Sequence, residues 1–361
     1  MSKLNSVRGR AALAIVAAST MAMTLAACGG SSDSGSSTGN VDFNKLSVDQ
    51  LYAKAKAEGE VVFDSGASDD EIKIIAADFY KLYPGIKIVH AEQQGEDSAA
   101  KLAAEAKAGV SKTDLSDTDQ NTAYELSKAG LFAKYVPPAA ATFDAKWKQP
   151  YFTGYKIMVK VITYNTDKVK GADIPTGYQD LLDPKWKNKV CVEESEVSTF
   201  ADMLIDLGRD KGLAYWKALQ ANGLRLVKGQ SDLVQAVVAG DCSLSVAANV
   251  HSVAQQAAKG APVAWVKTDP MYGNYGALGV AAKAPHPYAA RLWVNYLLSD
   301  AGQKSVADDY RVPVDPAVEP KEPELKQGTF NLVVAGDDVM KNFTEYNNLF
   351  YKTTGRPVVG Q

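Results

Sequence analysis

The feature that most narrows what this chain can fold into is a compact alternation of strand, loop, helix and strand near its front. Glu60-Val61-Val62-Phe63-Asp64 is an apolar run of strand length, and Ser65-Gly66-Ala67-Ser68 is a tight loop. From Asp69 to Tyr83, Ile72, Ile75, Ala76 and Phe79 recur at helical spacing. Pro84-Gly85 stops that helix, and Ile86-Lys87-Ile88-Val89-His90 is the next strand. Two strands joined through a helix run parallel, so this unit predicts an α/β architecture.

The alternation continues. A helix over Ser47 to Lys56, ended by Gly59, precedes the unit, and Ser98 to Ala108 and Asn121 to Lys128 read as helices around a weak strand near Asp114 to Ser116. Gly154 to Asn165 is a long β-rich run suited to crossing between two lobes. Beyond it come a turn-rich helix from Pro175 to Trp186, a strand opening at Val190, and helices over Phe200 to Gly208 and Gly212 to Asn222. A helix from Ser231 to Ala239, a strand from Cys242 to Ala247, a helix from Val250 to Lys259 and a strand from Val263 to Val266 complete a second lobe of similar design. A strand from Gly276 to Ala282 and a helix from Pro287 to Leu298 then return to the first lobe, and Asp337 to Tyr351 is a last helix. No internal repeat is visible.

The N-terminus has the order of an export signal: Lys3, Arg8 and Arg10, then an apolar run from Ala11 to Leu25, then small residues. The run is Ala-rich and short of the roughly 20 strongly apolar residues that span a bilayer, so a cleaved signal peptide over residues 1–27 is expected rather than a permanent membrane helix. Leu25-Ala26-Ala27-Cys28 followed by Gly29-Gly30 resembles the bacterial lipobox, in which Cys28 receives diacylglycerol and becomes the first residue. Gly29 to Asn40 is nearly all Gly, Ser, Thr and Asp, a flexible tether. Gly35-Ser36-Ser37-Thr38-Gly39 matches a hydrolase nucleophile elbow by letter, but no strand precedes it and no helix follows.

Removing the signal takes three of the 39 Lys and Arg and none of the 42 Asp and Glu, so the net charge moves from −3 to −6. Nothing suggests a nucleic-acid surface. The mature chain is long for one core and natural for two, and we expect a monomer. Cys191 and Cys242 both lie in apolar strand-like runs and are a disulfide candidate in an exported protein, with two reduced buried thiols as the alternative.

Collinear motifs then carry a family likeness. Gly59-Glu60-Val61-Val62, Phe79 through Ile88 (Phe-Tyr-Lys-Leu-Tyr-Pro-Gly-Ile-Lys-Ile), Lys128-Ala129-Gly130-Leu131 and Tyr164-Asn165-Thr166 come first. Asp180-Leu181-Leu182-Asp183-Pro184-Lys185-Trp186, Gly240-Asp241, Lys259-Gly260-Ala261-Pro262-Val263 and Leu297-Leu298-Ser299-Asp300-Ala301-Gly302-Gln303 follow. Together they resemble bacterial extracellular solute-binding proteins, in particular the ferric-iron-binding subgroup. The resemblance implies a two-lobed type II periplasmic-binding-protein fold with hinge strands, a small-molecule ligand and delivery to an ABC importer's membrane permease; the residues themselves, with no metal-ligand spacing, no valid nucleophile elbow and no free cysteine beside a histidine, lead us to expect no catalysis, no cofactor and no metal. The lipobox-like Cys28 adds the expectation of attachment to the extracytoplasmic face of the cell membrane through the N-terminal lipid. The expected layout is a lipidated tether over 28–42, lobe 1 over 43–158, lobe 2 over 159–275, a return to lobe 1 over 276–320, and a C-terminal segment over 321–361 packing on the lobes.

One departure bears on the ligand. Iron-binding members carry an adjacent tyrosine pair after the strand that here ends at Val246-Ala247, whereas this chain reads Ala248-Asn249-Val250-His251-Ser252, and no two tyrosines are adjacent anywhere. Ferric iron asks for hard, deprotonatable oxygen donors. In α/β sheets ligands sit where helix N-termini present N–H groups. Candidate contacts are therefore Ser65, Gly66 and Ser68 after the first strand, Thr118 and Asp119 in the polar run Asp117 to Asn121, and Ser195, Ser198 and Thr199. Asn249 and His251 open another helix, and Tyr272 and Tyr275 lie before the returning strand. The same Ser and Thr serve equally as ordinary helix caps. Hydroxyls with backbone N–H groups suit a small organic anion of the carboxylate or phosphonate type. Ferric iron, a polyamine met by Asp64, Glu193 and Glu194, and an exported hydrolase are the alternatives.

Overall fold

A computed structural model describes residues 41–356 apart from Gln94 and Ala335. The expected signal peptide, the lipidation candidate Cys28 and the expected tether up to Asn40 lie outside the described residues.

The first lobe begins with α1 (Val48–Glu58), β1 (Glu60–Ser65), α2 (Asp69–Leu82), β2 (Lys87–Glu92), α3 (Gly95–Ala108), β3 (Leu115–Asp119) and α4 (Gln120–Lys128). Both α1 and α2 start in capping boxes, Ser47 with Gln50 and Ser68 with Glu71, in which hydroxyl and N3 side chain satisfy each other's backbone N–H groups. β4 (Thr153–Asn165) is the long crossing strand. After it come β5 (Val190–Glu193), α5 (Val197–Asp206), α6 (Arg209–Ala221), β6 (Arg225–Val227), α7 (Gln230–Ala239), β7 (Leu244–Asn249), α8 (Val250–Ala258), β8 (Val263–Val266) and β9 (Met271–Val280). The chain ends with α9 (Pro287–Leu297), α10 (Asp300–Asp308), β10 (Val312–Pro313), β11 (Leu332–Val334), α11 (Asp337–Lys341) and α12 (Phe343–Thr354).

The strands line up in the order β2-β1-β3-β9-β4-β7-β5-β6, with β8 and β10 added on β4 and β11 on β9. Two parallel blocks, β2-β1-β3 and β7-β5-β6, are thus joined by the antiparallel pair β4 and β9. Each block with its helices is one α/β lobe, and the two long strands cross between them.

Each lobe has its own aromatic centre. In the first, Trp293 of α9 meets Phe79 edge-on at 4.8 Å, contacts Phe63 of β1 and stacks on Tyr296. In the second, Phe200 of α5, Trp216 of α6 and Phe350 of α12 touch pairwise at 5.4–5.8 Å between ring centroids. Side chains of this size each contribute about 1.5–3 kcal/mol on burial. The C-terminal helix therefore helps build the second lobe's core, while α11 packs against α4.

Three details differ from the sequence reading. Residues 175–186 form short 3₁₀ turns, Tyr178–Leu182 and Pro184–Trp186, because Pro184 cannot donate to a continuing helix and Asp183 caps the next turn instead. The tail is two helices broken at Asn342. β9 starts at Met271 rather than Gly276, so Tyr272 and Tyr275 lie within the strand and not before it; its ten residues are all buried, which hides the alternation that marks a half-exposed strand. Cys191 of β5 and Cys242, just before β7, are disulfide-bonded with Cα atoms 6.0 Å apart.

Candidate ligand-binding site

The register of the crossing pair decides which side chains share a face. Lys156 lies opposite Gly276, Met158 opposite Asn274 and Lys160 opposite Tyr272, so these six positions project from one side of the sheet. Gly276 matters here. The Lys156 stem passes over it to reach Asp117 on β3, where the ammonium lies 2.6 Å from Oδ2 and the Tyr155 hydroxyl donates to the same oxygen at 2.8 Å. Four residues along β4, Lys160 donates to Glu196 at 2.6 Å. Both lysines are buried.

Glu196 is a junction. It caps α5 by accepting from the Thr199 N–H and hydroxyl, and it receives the Gln230 amide from the start of α7 at 2.9 Å. Gln230 in turn accepts from the Asn249 N–H at 3.0 Å, which ties the end of β7 to the same cluster. From the other side, buried Arg311 lies 2.8 Å from Glu71 of α2 and 2.7 Å from Asp309. Gln255 of α8 reaches Asp309 Oδ1 at 3.1 Å and Glu71 at 3.4 Å, linking the two sides.

His251, in the first turn of α8, sits among these cations with 7% of its surface exposed and no hydrogen-bond partner among the described residues. Burial, then the charges of Arg311, Lys156 and Lys160, push its pKa well below the usual 6.5. The imidazole is therefore neutral. Burial works against Arg311 too, but Glu71 and Asp309 outweigh it and raise the guanidinium's pKa. Lys156 is drawn down by burial, with Asp117 opposing.

The structure sorts the residues singled out from sequence. Ser65 accepts from the Ala67 N–H at 3.0 Å, with Gly66 between them in the turn, and Ser68 is engaged in its capping box. Asp119 caps α4 through the Asn121 and Thr122 N–H groups, and the Thr118 hydroxyl donates to the Asp119 carbonyl. Ser195 donates to Glu193 at 2.7 Å, Thr199 is held by Glu196, and Ser198 accepts from Asn274 of β9 at 3.1 Å. Of the four helix starts marked in the sequence, α2, α4 and α5 are closed by their own side chains. Only α8 has no side-chain cap, and the buried Asn249 Oδ1 beside it has no partner among the described residues. Its free N–H groups lie beside the neutral His251 and the ion-paired Lys and Arg cluster, and an uncapped helix start favours negative charge.

The tyrosines are placed otherwise. The Tyr272 hydroxyl donates to Asp206 at 2.9 Å, and Tyr275 packs edge-on against Trp147. Burial, with Asp206 adding for Tyr272, raises both phenol pKa values, as burial and Asp117 do for Tyr155. Phenolates at these positions are disfavoured. Among the described residues no group of three or more His, Cys, Asp or Glu side chains is arranged to hold a metal ion. Sequence reasoning missed Lys156, Lys160 and Arg311. The two lysines had a signal, since charges four apart inside an otherwise apolar strand must find partners when the strand is buried; Arg311, in a loop after α10, had none.

Two α/β lobes joined by two crossing strands, with a buried polar cluster on those strands, define a protein of the two-lobed binding type. Residues 114–333 match the family model described as bacterial extracellular solute-binding protein, and the chain belongs to that family. Family members bind and move solutes outside the cytoplasm; they are not an enzyme class.

Iron uptake protein A1 of Synechocystis is 25% identical over 213 residues, 54% of this chain and 58% of its own length. The Fe(3+)-binding periplasmic protein of Serratia marcescens is 25% identical over 75% of this chain and 84% of its own. A periplasmic binding protein from Actinobacillus pleuropneumoniae, solved with exogenous fructose-6-phosphate bound, superposes with a TM-score of 0.73 at 17% identity over 83% of this chain and 100% of that one. A Trichodesmium protein in complex with iron and citrate gives 0.66 at 20% identity, over 82% and 99%. These likenesses support the type II periplasmic-binding-protein fold.

Proposed function

We propose that this chain is a lipid-anchored, monomeric receptor that captures a small organic anion, of the carboxylate or phosphonate type, and delivers it to the permease of an ABC importer. The observation that carries the ligand class is the uncapped start of α8, with Asn249 and the unpartnered His251, facing Lys156, Lys160 and Arg311. Unpaired backbone N–H groups at a helix start favour an oxyanion there.

The relatives named for iron make ferric ion the second reading. Against it stands Asn249-Val250-His251 where iron-binding members have paired tyrosines. A polyamine has less support still, because Asp64 holds Lys101, Glu193 holds Ser195 and Glu194 holds Arg356.

Thermal unfolding with citrate, phosphonoacetate, fructose-6-phosphate, ferric chloride and spermidine tests the reading. An anion at 100 times its dissociation constant should add about 2.7 kcal/mol of stability, without turnover. A visible iron–phenolate band at one iron per chain, or stabilisation by spermidine alone, would refute it.

A further inference from the structure

The site holds buried acceptors with no donor of their own beside its free N–H groups, and this narrows the anion. A neutral imidazole has one N–H and one bare nitrogen, so His251 has an acceptor as well as a donor to satisfy. Asn249 Oδ1 at the same helix start and Asn274 Oδ1 on the crossing face are buried acceptors with no partner among the described residues. The charges point the same way. Lys156 and Lys160 of β4 and Arg311 face Asp117 of β3, Glu196 of α5, Glu71 of α2 and Asp309, three cations against four carboxylates, so the cluster is already formally −1 with the ring neutral. A fully ionised dianion would add two charges to that cluster and leave every one of these acceptors unmet.

Building on the organic-anion reading, we propose that His251 is a specificity-determining residue that selects a singly charged oxyanion still carrying its own proton, a half-protonated phosphonyl or phosphoryl group, over a proton-free isostere such as a sulfonate. The ligand O–H donates to the bare ring nitrogen, and the ring N–H with the first N–H groups of α8 donates to the remaining oxygens. A buried site built around a ligand O–H rejects the analogue that lacks it by far more than a shape mismatch does, because its own polar group is then left unpaired.

Methylphosphonate and methanesulfonate make the test. Below the second ionisation of the phosphonate the two have the same shape and charge and differ by one proton. Titration calorimetry at pH 6 should show the wild-type protein preferring methylphosphonate by about 100-fold or more. The preference should fall by about tenfold or more at pH 9, where that proton is gone. His251→Gln, whose neutral amide also has a donor and an acceptor, should keep most of it. His251→Arg, with donors only, should bind the two ions within about fivefold of each other. Equal binding by the wild type, or a preference that survives in His251→Arg, overturns the proposal. Binding of citrate without discrimination between the two probes would sink the proton-reading role and leave the anion reading standing. Failure of every anion in the earlier panel would remove that reading and this proposal with it.

Discussion

Gly276→Ala is the most informative single substitution, because it probes the path by which a lysine reaches the cleft. A Cβ at this position would lie 2.9 Å from Lys156 Cγ, nearer still to its Cε, and 3.1 Å from Asp117 Oδ1. The stem is hemmed in by a buried strand face, so it can yield only by lifting the ammonium off Asp117. Overpacking of this kind costs about 1–3 kcal/mol. Breaking a buried pair costs about 3–5 kcal/mol; the lower end applies, since the Tyr155 hydroxyl stays on the carboxylate. We expect a net loss of about 3 kcal/mol in urea unfolding, near the low end because clash and broken pair are alternative ways of relieving the same contact. The decisive measurement is a double-mutant cycle with Lys156→Ala, which removes the stem. In that background Gly276→Ala should cost under about 1 kcal/mol, giving a coupling of about 2 kcal/mol. Additive losses, or a Gly276→Ala protein as stable as the wild type, would show that the lysine does not depend on the missing side chain.

Three further outcomes are expected. Replacing Cys191 and Cys242 by Ala opens a loop of sequence separation 51 and should lower stability by about 4 kcal/mol, read from the urea midpoint, with ligand affinity little changed. His251 has a folded pKa depressed below 6.5, so its contribution is fully present above about pH 6.5 and is lost below it, as the unfolded chain takes up a proton the folded ring refuses. Stability should therefore fall more between pH 7 and pH 5.5 for the wild type than for His251→Gln, read from urea midpoints at the two pH values, and parallel curves would contradict the neutral ring. Cys28→Ala should release the protein from the membrane fraction without weakening ligand binding, and a loss of affinity would count against a purely anchoring role.

The elements were legible where local chemistry forces them. The β1-α2-β2 unit stands close to where the apolar periodicity and Pro84-Gly85 put it, and β8 spans Val263–Val266 as read. β6, β10 and β11 were not seen, being two or three residues long. The site was less legible than the fold. Asn249 and His251 stood out because they replace expected tyrosines at a helix start. Ser68 and Asp119 carried the same signal for an ordinary reason, and Thr199 because it donates to the cap Glu196: a residue in its own helix's cap and one that leaves the helix open to a ligand look alike in one dimension.

The sequence alone determined the alternation of strands and helices, and therefore the α/β class, because hydrophobic period and turn chemistry act over a few residues. It also carries, in one contiguous stretch, the pattern expected of an export signal. Tertiary structure decided which helix start stays open. It also brought Lys160 to Glu196, Lys156 across Gly276 to Asp117, and Arg311 to Glu71 240 residues away, so that burial first, and then the cations gathered around His251, keep its ring neutral. Charge acts through space over several ångströms, and the order of residues along the chain does not record it.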